Sequence, residues 1–451
     1  MLAALRNNPE IRRPYNIKEF QQEGIIMSTD RYAHRKAAAA LSLKKPDGSH
    51  LAGEIVELRQ KRHEFLFGCG GFDAVDLAGA KRDNDSGKND SPDKNYLDNI
   101  NENEAREVQL DRIFALCNYA TLPFYWGRYE STEGNPDERR TIAAAKYFAE
   151  RGIVTKGHPL CWHTVCAPWL MNYSNDEILK KQLARIHRDV GNFRGLIDRW
   201  DVINEAVIMP IFDKYDNAIT RVCRDLGRVR MVKEVFAAAK EANPDASLLI
   251  NDFDLSTKYE ILIDGCLQAG IPIDTIGLQT HQHQGYMGRE KLEEILDRYS
   301  FFGLPLHFTE NTIVSGHIMP PHIEDLNDYQ IPEWPTTPEG EERQANELLE
   351  MYEILFSHPM VAAITNWDPV DGKWLGAPSG LLRKDNSPKP AYNALMAKIK
   401  GEWWTTQTLK TDEKGVINFE GFRGEYEAMV RGKTIPFTLC RGKADIALVL
   451  F

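Results

Sequence analysis

Short apolar runs and longer amphipathic stretches alternate along most of this 451-residue chain. Apolar runs bounded by Gly, Pro, Asn or Asp read as strands. Stretches of helical period, such as RVRMVKEVFAAAKEA (228–242) and ERQANELLEMYEILF (342–356), read as helices. The pattern predicts strands over 65–70, 112–122, 153–160, 196–204, 247–252, 275–281, 305–310 and 361–368. Eight strand–helix units predict an α/β fold, a closed (β/α)8 TIM barrel over 65–401. A doubly wound open sheet would suit the same alternation, but no Gly-rich dinucleotide fingerprint follows the first strand.

Five segments fall outside that count. Residues 1–30 read as an N-terminal extension. Residues 31–64 carry alternating runs around a Pro46-Asp47-Gly48 turn signal, and 402–451 repeat the style with regular Gly breaks. Each is too small for a stable sandwich alone, so the two are expected to combine into one discontinuous, sandwich-like accessory β domain; independent edge flaps are the alternative. The Asn/Asp-rich stretch 81–105 reads as a loop after the first barrel strand. The Pro-rich stretch 315–340, bearing Trp334, reads as a cover over the active-site face or as a passive surface loop.

Composition narrows the partners. Hydrophobic residues make up 42% and charged residues 27%, enough for a large core. The net charge of −11, without a Lys/Arg block, argues against nucleic acid or an anionic membrane as partner and leaves neutral substrates open. Seven scattered cysteines suit thiols in a reducing compartment better than a disulfide framework. Cys161, Cys166, His158 and His163 raise a zinc reading, but no second ligand pair completes it, so neither metal nor organic cofactor is expected. No stretch reaches membrane-spanning length and the first residues lack a signal-peptide core. A cytoplasmic location is the expectation; a secreted chain whose signal has been removed reads the same way.

Catalytic groups of a barrel sit at the C-terminal ends of its strands, and those ends are dense in polar and flat aromatic residues. His158 and Trp162 follow the third strand, Asn204 and Glu205 the fourth, Asn251 and Asp252 the fifth. Gln279 and His281 follow the sixth, Glu310 the seventh and Trp367 the eighth. Glu205 alone reads equally well as a residue in the first turn of a helix, where the dipole favours an anion. Paired with Glu310 from the far side of the ring, it suits glycoside hydrolysis, in which one carboxyl protonates the leaving oxygen and the other attacks or activates water. Trp162, Trp367 and Trp374 offer stacking faces, whereas mid-strand Trp200 reads as core.

GHPLCWH (157–163), WDVINEAV (200–207), LLINDFD (248–254), IGLQTH (276–281) and LHFTEN (306–311), with the segment from 342 through LLRKDNSPKPAY (381–392), resemble in order the motifs of glycoside hydrolase family 10, the retaining endo-1,4-β-xylanases. The resemblance spans about residues 60–400. It implies β-1,4-xylosidic bonds in xylan or xylo-oligosaccharides as substrate, with Glu205 as acid/base and Glu310 as nucleophile. It further implies that Asn204 holds the 2-hydroxyl of the attacked sugar, that Gln279 and His281 surround Glu310, and that His158, Trp162, Trp367 and Trp374 line the sugar site. A hydrolase of another β-linked glycan, or a carbohydrate-binding relative with impaired catalysis, are the alternatives. Two departures stand out. Where the family has TxEN then MKW, this chain has Leu122, Pro123 and Trp126, so Arg128 or Glu130 takes over the sugar contacts, or Tyr125 and Trp126 build an aromatic wall. The Asp that orients the family's histidine is Thr312 here, which leaves His281 without a carboxylate partner.

Overall fold

The computed structural model describes residues 30–85, 94–442 and 445–449. Eight parallel strands close a barrel: β3 (Leu66–Gly70), β4 (Tyr119–Pro123), β5 (Val154–His158), β6 (Arg199–Asn204), β7 (Ser247–Asp252), β8 (Thr275–Leu278), β10 (Leu306–Ile313) and β11 (Val361–Asn366). The ring is completed by β11 pairing with both β10 and β3. A ninth piece, β9 (His281–Gln282), adds to β10 beyond the ring and sets His281 opposite Thr312.

Parallel strands wrapped by helices are buried on both faces, which explains the continuous apolar runs. Leu248, Leu249 and Ile250 of β7 are fully buried, and every residue of β10 is buried. The helices follow the same logic with their own period. In Asn175–Asn192, started by a Ser174/Glu177 capping box, the buried positions Ile178, Gln182, Arg185, Ile186, Asp189 and Val190 form one stripe against the barrel. Trp200 is fully buried between Phe124 and Phe193. Its ring leaves room at β5 only for Gly157, where an added Cβ would overlap it.

The chain before and after the barrel builds two small sheets. β1 (Lys36–Lys44) lies between β13 (Val416–Phe422) and β16 (Asp445–Val449), while β2 (Ile55–His63) lies between β12 (Thr406–Lys410) and β14 (Gly424–Val430), with β15 (Lys433–Leu439) outermost. β1 and β2 therefore do not pair with each other across the Pro46-Asp47-Gly48 turn. Both sheets contribute to one apolar cluster that includes Leu41, Leu58, Phe419, Tyr426 and Leu448. Arg35, just before β1, is buried and donates to the carbonyls of Phe356, His358 and Val361 of the barrel.

Two expectations need correction. The 81–105 stretch is not a simple loop: helices Asp73–Asp85 and Lys94–Leu116 occupy most of it, and 86–93 lie outside the described residues. The second helix also takes Arg112–Leu116, which the sequence suggested as the start of β4. Leu110, Ile113 and Leu116 are buried on its barrel side, and an apolar run of that length does not separate a buried helix end from a strand. Nearly all of the 1–30 extension lies outside the described residues.

Candidate active site

Glu205 leaves the end of β6 with φ of 55°, a left-handed backbone that non-glycine residues rarely adopt. No helix starts there, so the helix-cap reading falls. The Glu205 N–H donates to the Asn251 carbonyl at 2.8 Å, which fixes the turn and tips the carboxyl over the barrel mouth. Strain of this kind persists where surrounding structure over-determines it, and such positions cluster at functional sites. The Trp162 indole N–H donates to Glu205 Oε2 at 2.8 Å and the Asn204 amide to Oε1 at 3.3 Å. Burial pushes the Glu205 carboxyl up to about 8 against the pull of the Trp162 bond, and the nearby Asp252 and Glu310 carboxyls add to the rise.

Glu310 is buried within β10. Asn251 donates from Nδ2 to both Glu310 Oε1 (2.7 Å) and Asn204 Oδ1 (2.8 Å), so one amide bridges the surroundings of the two carboxyls. Gln279 gives Asn204 Oδ1 a second donor at 2.8 Å, and Thr309 donates to Asn251 Oδ1 at 2.7 Å. His281 Nε2 stands 3.3 Å from Glu310 Oε2 and His158 Nδ1 stands 3.9 Å from Oε1. Burial alone would raise the Glu310 pKa, but the two imidazoles, with Lys156 behind them, hold it below the usual carboxylate value.

Beneath His158 lies a fully buried ion pair. Asp201 Oδ2 accepts from His158 Nδ1 at 2.7 Å and meets Lys156 Nζ at 2.6 Å. Burial raises the Asp201 pKa, yet Lys156 and His158 more than offset it and keep the carboxylate ionised. A polar residue inside each of two apolar strand runs was the available sequence signal for this pair.

The walls are aromatic. Trp367 packs edge-on to His158 at 5.2 Å, and Trp374 stands 4.4 Å from the His281 ring and 5.0 Å from that of His283. Tyr125, not Trp126, faces the site: its ring lies 5.6 Å from both His158 and Trp162, and Phe72 bridges it to Trp367. Trp126 is the correction. A short helix, Trp126–Tyr129, places it one turn from Glu130, to which its N–H donates at 3.1 Å, while Arg185 covers its ring and Trp169 meets it edge-on. Glu130, also buried, is tied to Arg188 at 2.9 Å and turned from the cleft. Arg128 is exposed, its guanidinium 5.9 Å from the Tyr125 ring centroid at the rim of that wall.

The 315–340 stretch packs onto the loop that carries Trp374. Trp334 is buried with Val314, Met319 and Ala377, and contacts the His283 ring at 5.8 Å. Lys214, after β6, pairs with Asp325 and Asp328 of the same stretch at 2.7 and 2.8 Å.

A closed parallel barrel carrying two carboxyls of opposite protonation tendency on its fourth and seventh strands, at the C-terminal mouth, has the arrangement that the class of paired-acid glycoside hydrolases requires. Comparison with known proteins then gives the family. The sequence profile of glycosyl hydrolase family 10 matches residues 123–398, and the chain belongs to that family. A β-1,4-xylanase of Dictyoglomus thermophilum is 30% identical over 238 residues, covering 51% of this chain and 64% of that protein. An endo-1,4-β-xylanase B of Thermotoga neapolitana is 28% identical over 265 residues, covering 55% of this chain and 70% of that one. The chain thus spans less than two thirds of the Dictyoglomus relative's length. A family 10 structure from Paenibacillus barcinonensis superposes with a TM-score of 0.57 at 20% identity, over 75% of this chain and 96% of that one; xylanase 10B of Thermotoga maritima gives 0.55 at the same identity and coverage. Among the described residues no helix is long and apolar enough to cross a membrane.

Proposed function

We propose that this protein is a retaining endo-1,4-β-xylanase-type hydrolase that cleaves β-1,4-xylosidic bonds in xylan or xylo-oligosaccharides. The observation that carries the reading is the pair of carboxyls at the barrel mouth, joined through Asn204 and Asn251, in surroundings that favour the protonated form of Glu205, beside Trp162, and the ionised form of Glu310, faced by His281 and His158. The Glu310 carboxylate bonds to the anomeric carbon as the glycosidic C–O bond breaks, and the Glu205 proton goes to the leaving oxygen. The glycosyl ester neutralises Glu310, which removes one source of the raised Glu205 pKa. Glu205, now ionised, takes a proton from water as that water attacks the anomeric carbon and releases Glu310.

Asn204 lies beside Glu205 with its amide toward that carboxyl and its carbonyl held by Asn251, which also bonds Glu310, suited to the 2-hydroxyl of the attacked sugar. His158, Trp162, Trp367 and Trp374 line that sugar. Gln279 orients Asn204, and His281 orients Glu310. The names of the xylanase relatives support the choice of xylan. Reducing-sugar release from xylan by wild type against Glu310→Ala tests the reading. Activity confined to the wild type is expected, and equal signals from both proteins would overturn it. A panel of xylan, mixed-linkage glucan and aryl β-glycosides then separates xylan from other β-glycans.

A further inference from the structure

Where the family pattern places an aspartate, the Thr312 hydroxyl stands between two imidazoles. Its Oγ1 is 3.4 Å from His281 Nδ1 and 3.2 Å from His283 Nδ1, and it accepts the Gln282 backbone N–H at 3.2 Å. One O–H and two lone pairs are the whole capacity of a hydroxyl, and three partners use all of it. The pairing of β9 with β10, with Thr312 in register with His281, holds this geometry. His283 is fully buried, its ring between those of Trp374 and Trp334, and burial drives its pKa down to about 3, so it is neutral.

A single hydroxyl proton allows two arrangements. In the first, His283 Nδ1–H donates to Thr312 Oγ1 and the Thr312 O–H donates to His281 Nδ1. His281 is then neutral, carries its proton on Nε2 and donates it to Glu310 Oε2. In the second, His281 is doubly protonated, its Nδ1–H donates to Thr312, and the hydroxyl turns to His283 Nδ1. His283 must then carry its proton on Nε2, a buried atom with no partner. In the first arrangement the same atom is an unprotonated acceptor, and because orphaned buried N–H donors are rarer and costlier than under-used acceptors, the first arrangement prevails. Glu310 is the carboxylate that faces His281 Nε2, at 3.3 Å, and the two imidazoles stand 6.2 Å apart, centroid to centroid, joined through the Thr312 hydroxyl.

We propose that Thr312 and His283 are positioning residues for the nucleophile: through the Thr312 hydroxyl they hold His281 as a neutral Nε2–H donor aimed at Glu310. The inference rests on Glu310 being the nucleophile. A neutral donor fixes the carboxylate rotamer without placing a full cation beside it, and so leaves more negative charge on the attacking oxygen than an imidazolium held by an aspartate would.

The test uses the full chain and 2,4-dinitrophenyl 2-deoxy-2-fluoro-β-xyloside, whose leaving group departs without a proton from Glu205. Attack by Glu310 forms the ester and releases dinitrophenolate. Peptide mass analysis of the wild type is expected to find the label on Glu310; a label elsewhere, or none, overturns the nucleophile assignment and this inference with it. With that label in place, Thr312→Val should slow the burst of dinitrophenolate by about tenfold or more, with half-saturation changed by less than about threefold. Thr312→Ser should restore it to within about threefold, and His283→Phe should slow it in the same direction as Thr312→Val. Nitrogen-15 spectra of the imidazoles should show His281 singly protonated on Nε2 at neutral pH in the wild type, and doubly protonated in Thr312→Asp. Equal burst rates for wild type and Thr312→Val, failure of serine to rescue, or a doubly protonated His281 in the wild type would each overturn the positioning role while leaving the glycosidase reading intact.

Discussion

Trp162→Phe removes the largest of the hydrogen bonds that work against the raised pKa of Glu205. The indole N–H donates to Oε2 at 2.8 Å and stabilises the ionised carboxyl, so its loss moves the pKa further up from about 8. A bond to a charged acceptor contributes about 1.5–3 kcal/mol, and one pKa unit corresponds to about 1.36 kcal/mol. Glu205 is half-buried, so water replaces part of the lost bond and the lower end applies: a rise of about one unit. The basic limb of kcat/KM reports the acid in the free enzyme. For xylo-oligosaccharides, whose leaving groups need a proton, that limb should move up by about one unit. For 2,4-dinitrophenyl β-xyloside, whose leaving group needs none, this shift should be absent. KM should rise for both, because a flat face over the sugar shrinks. A basic limb that stays put, or moves down, for the oligosaccharides would refute the assignment of Glu205 as the proton donor controlled by Trp162.

Other outcomes follow from the same geometry. Because the folded-state pKa of Glu205 is raised, its contribution favours folding below about 4.5 and is lost as pH climbs through about 8. Melting curves should therefore show Glu205→Gln gaining on the wild type across that window and matching it below. Asp201→Asn leaves the fully buried Lys156 cation without its anion and should destabilise by about 3–5 kcal/mol in urea unfolding, with His158 losing its orientation and activity falling alongside. Gly157→Ala forces a methyl against the Trp200 ring and should destabilise by about 1–3 kcal/mol, with no change in the pH profile of what activity remains.

Periodicity is a local property, and that is why it made the barrel legible. Largely apolar strands, helices with a single buried stripe and the placement of Glu205 just past β6 and Glu310 in the last half of β10 all follow from spacing along the chain. The error at Arg112–Leu116 has the same origin, since a short apolar run carries no period of its own. Which aromatic residue faces the sugar was not legible. Tyr125 and Trp126 are neighbours in sequence, and a helical turn of four residues sent one toward His158 and the other toward Glu130 and Arg185. His283 was missed although it lies two residues beyond His281, because its meaning depends on a hydroxyl from another strand.

By itself, then, the sequence determined the sequence of elements and the chemical types at the barrel mouth, because both are written in nearest-neighbour patterns. Tertiary structure decided the division of the terminal strands between two sheets, the balance of burial and neighbouring charge that separates the protonation of Glu205 from that of Glu310, and the Thr312 bridge. Each depends on contacts between residues far apart in the chain, and desolvation and through-space charge have no counterpart in spacing.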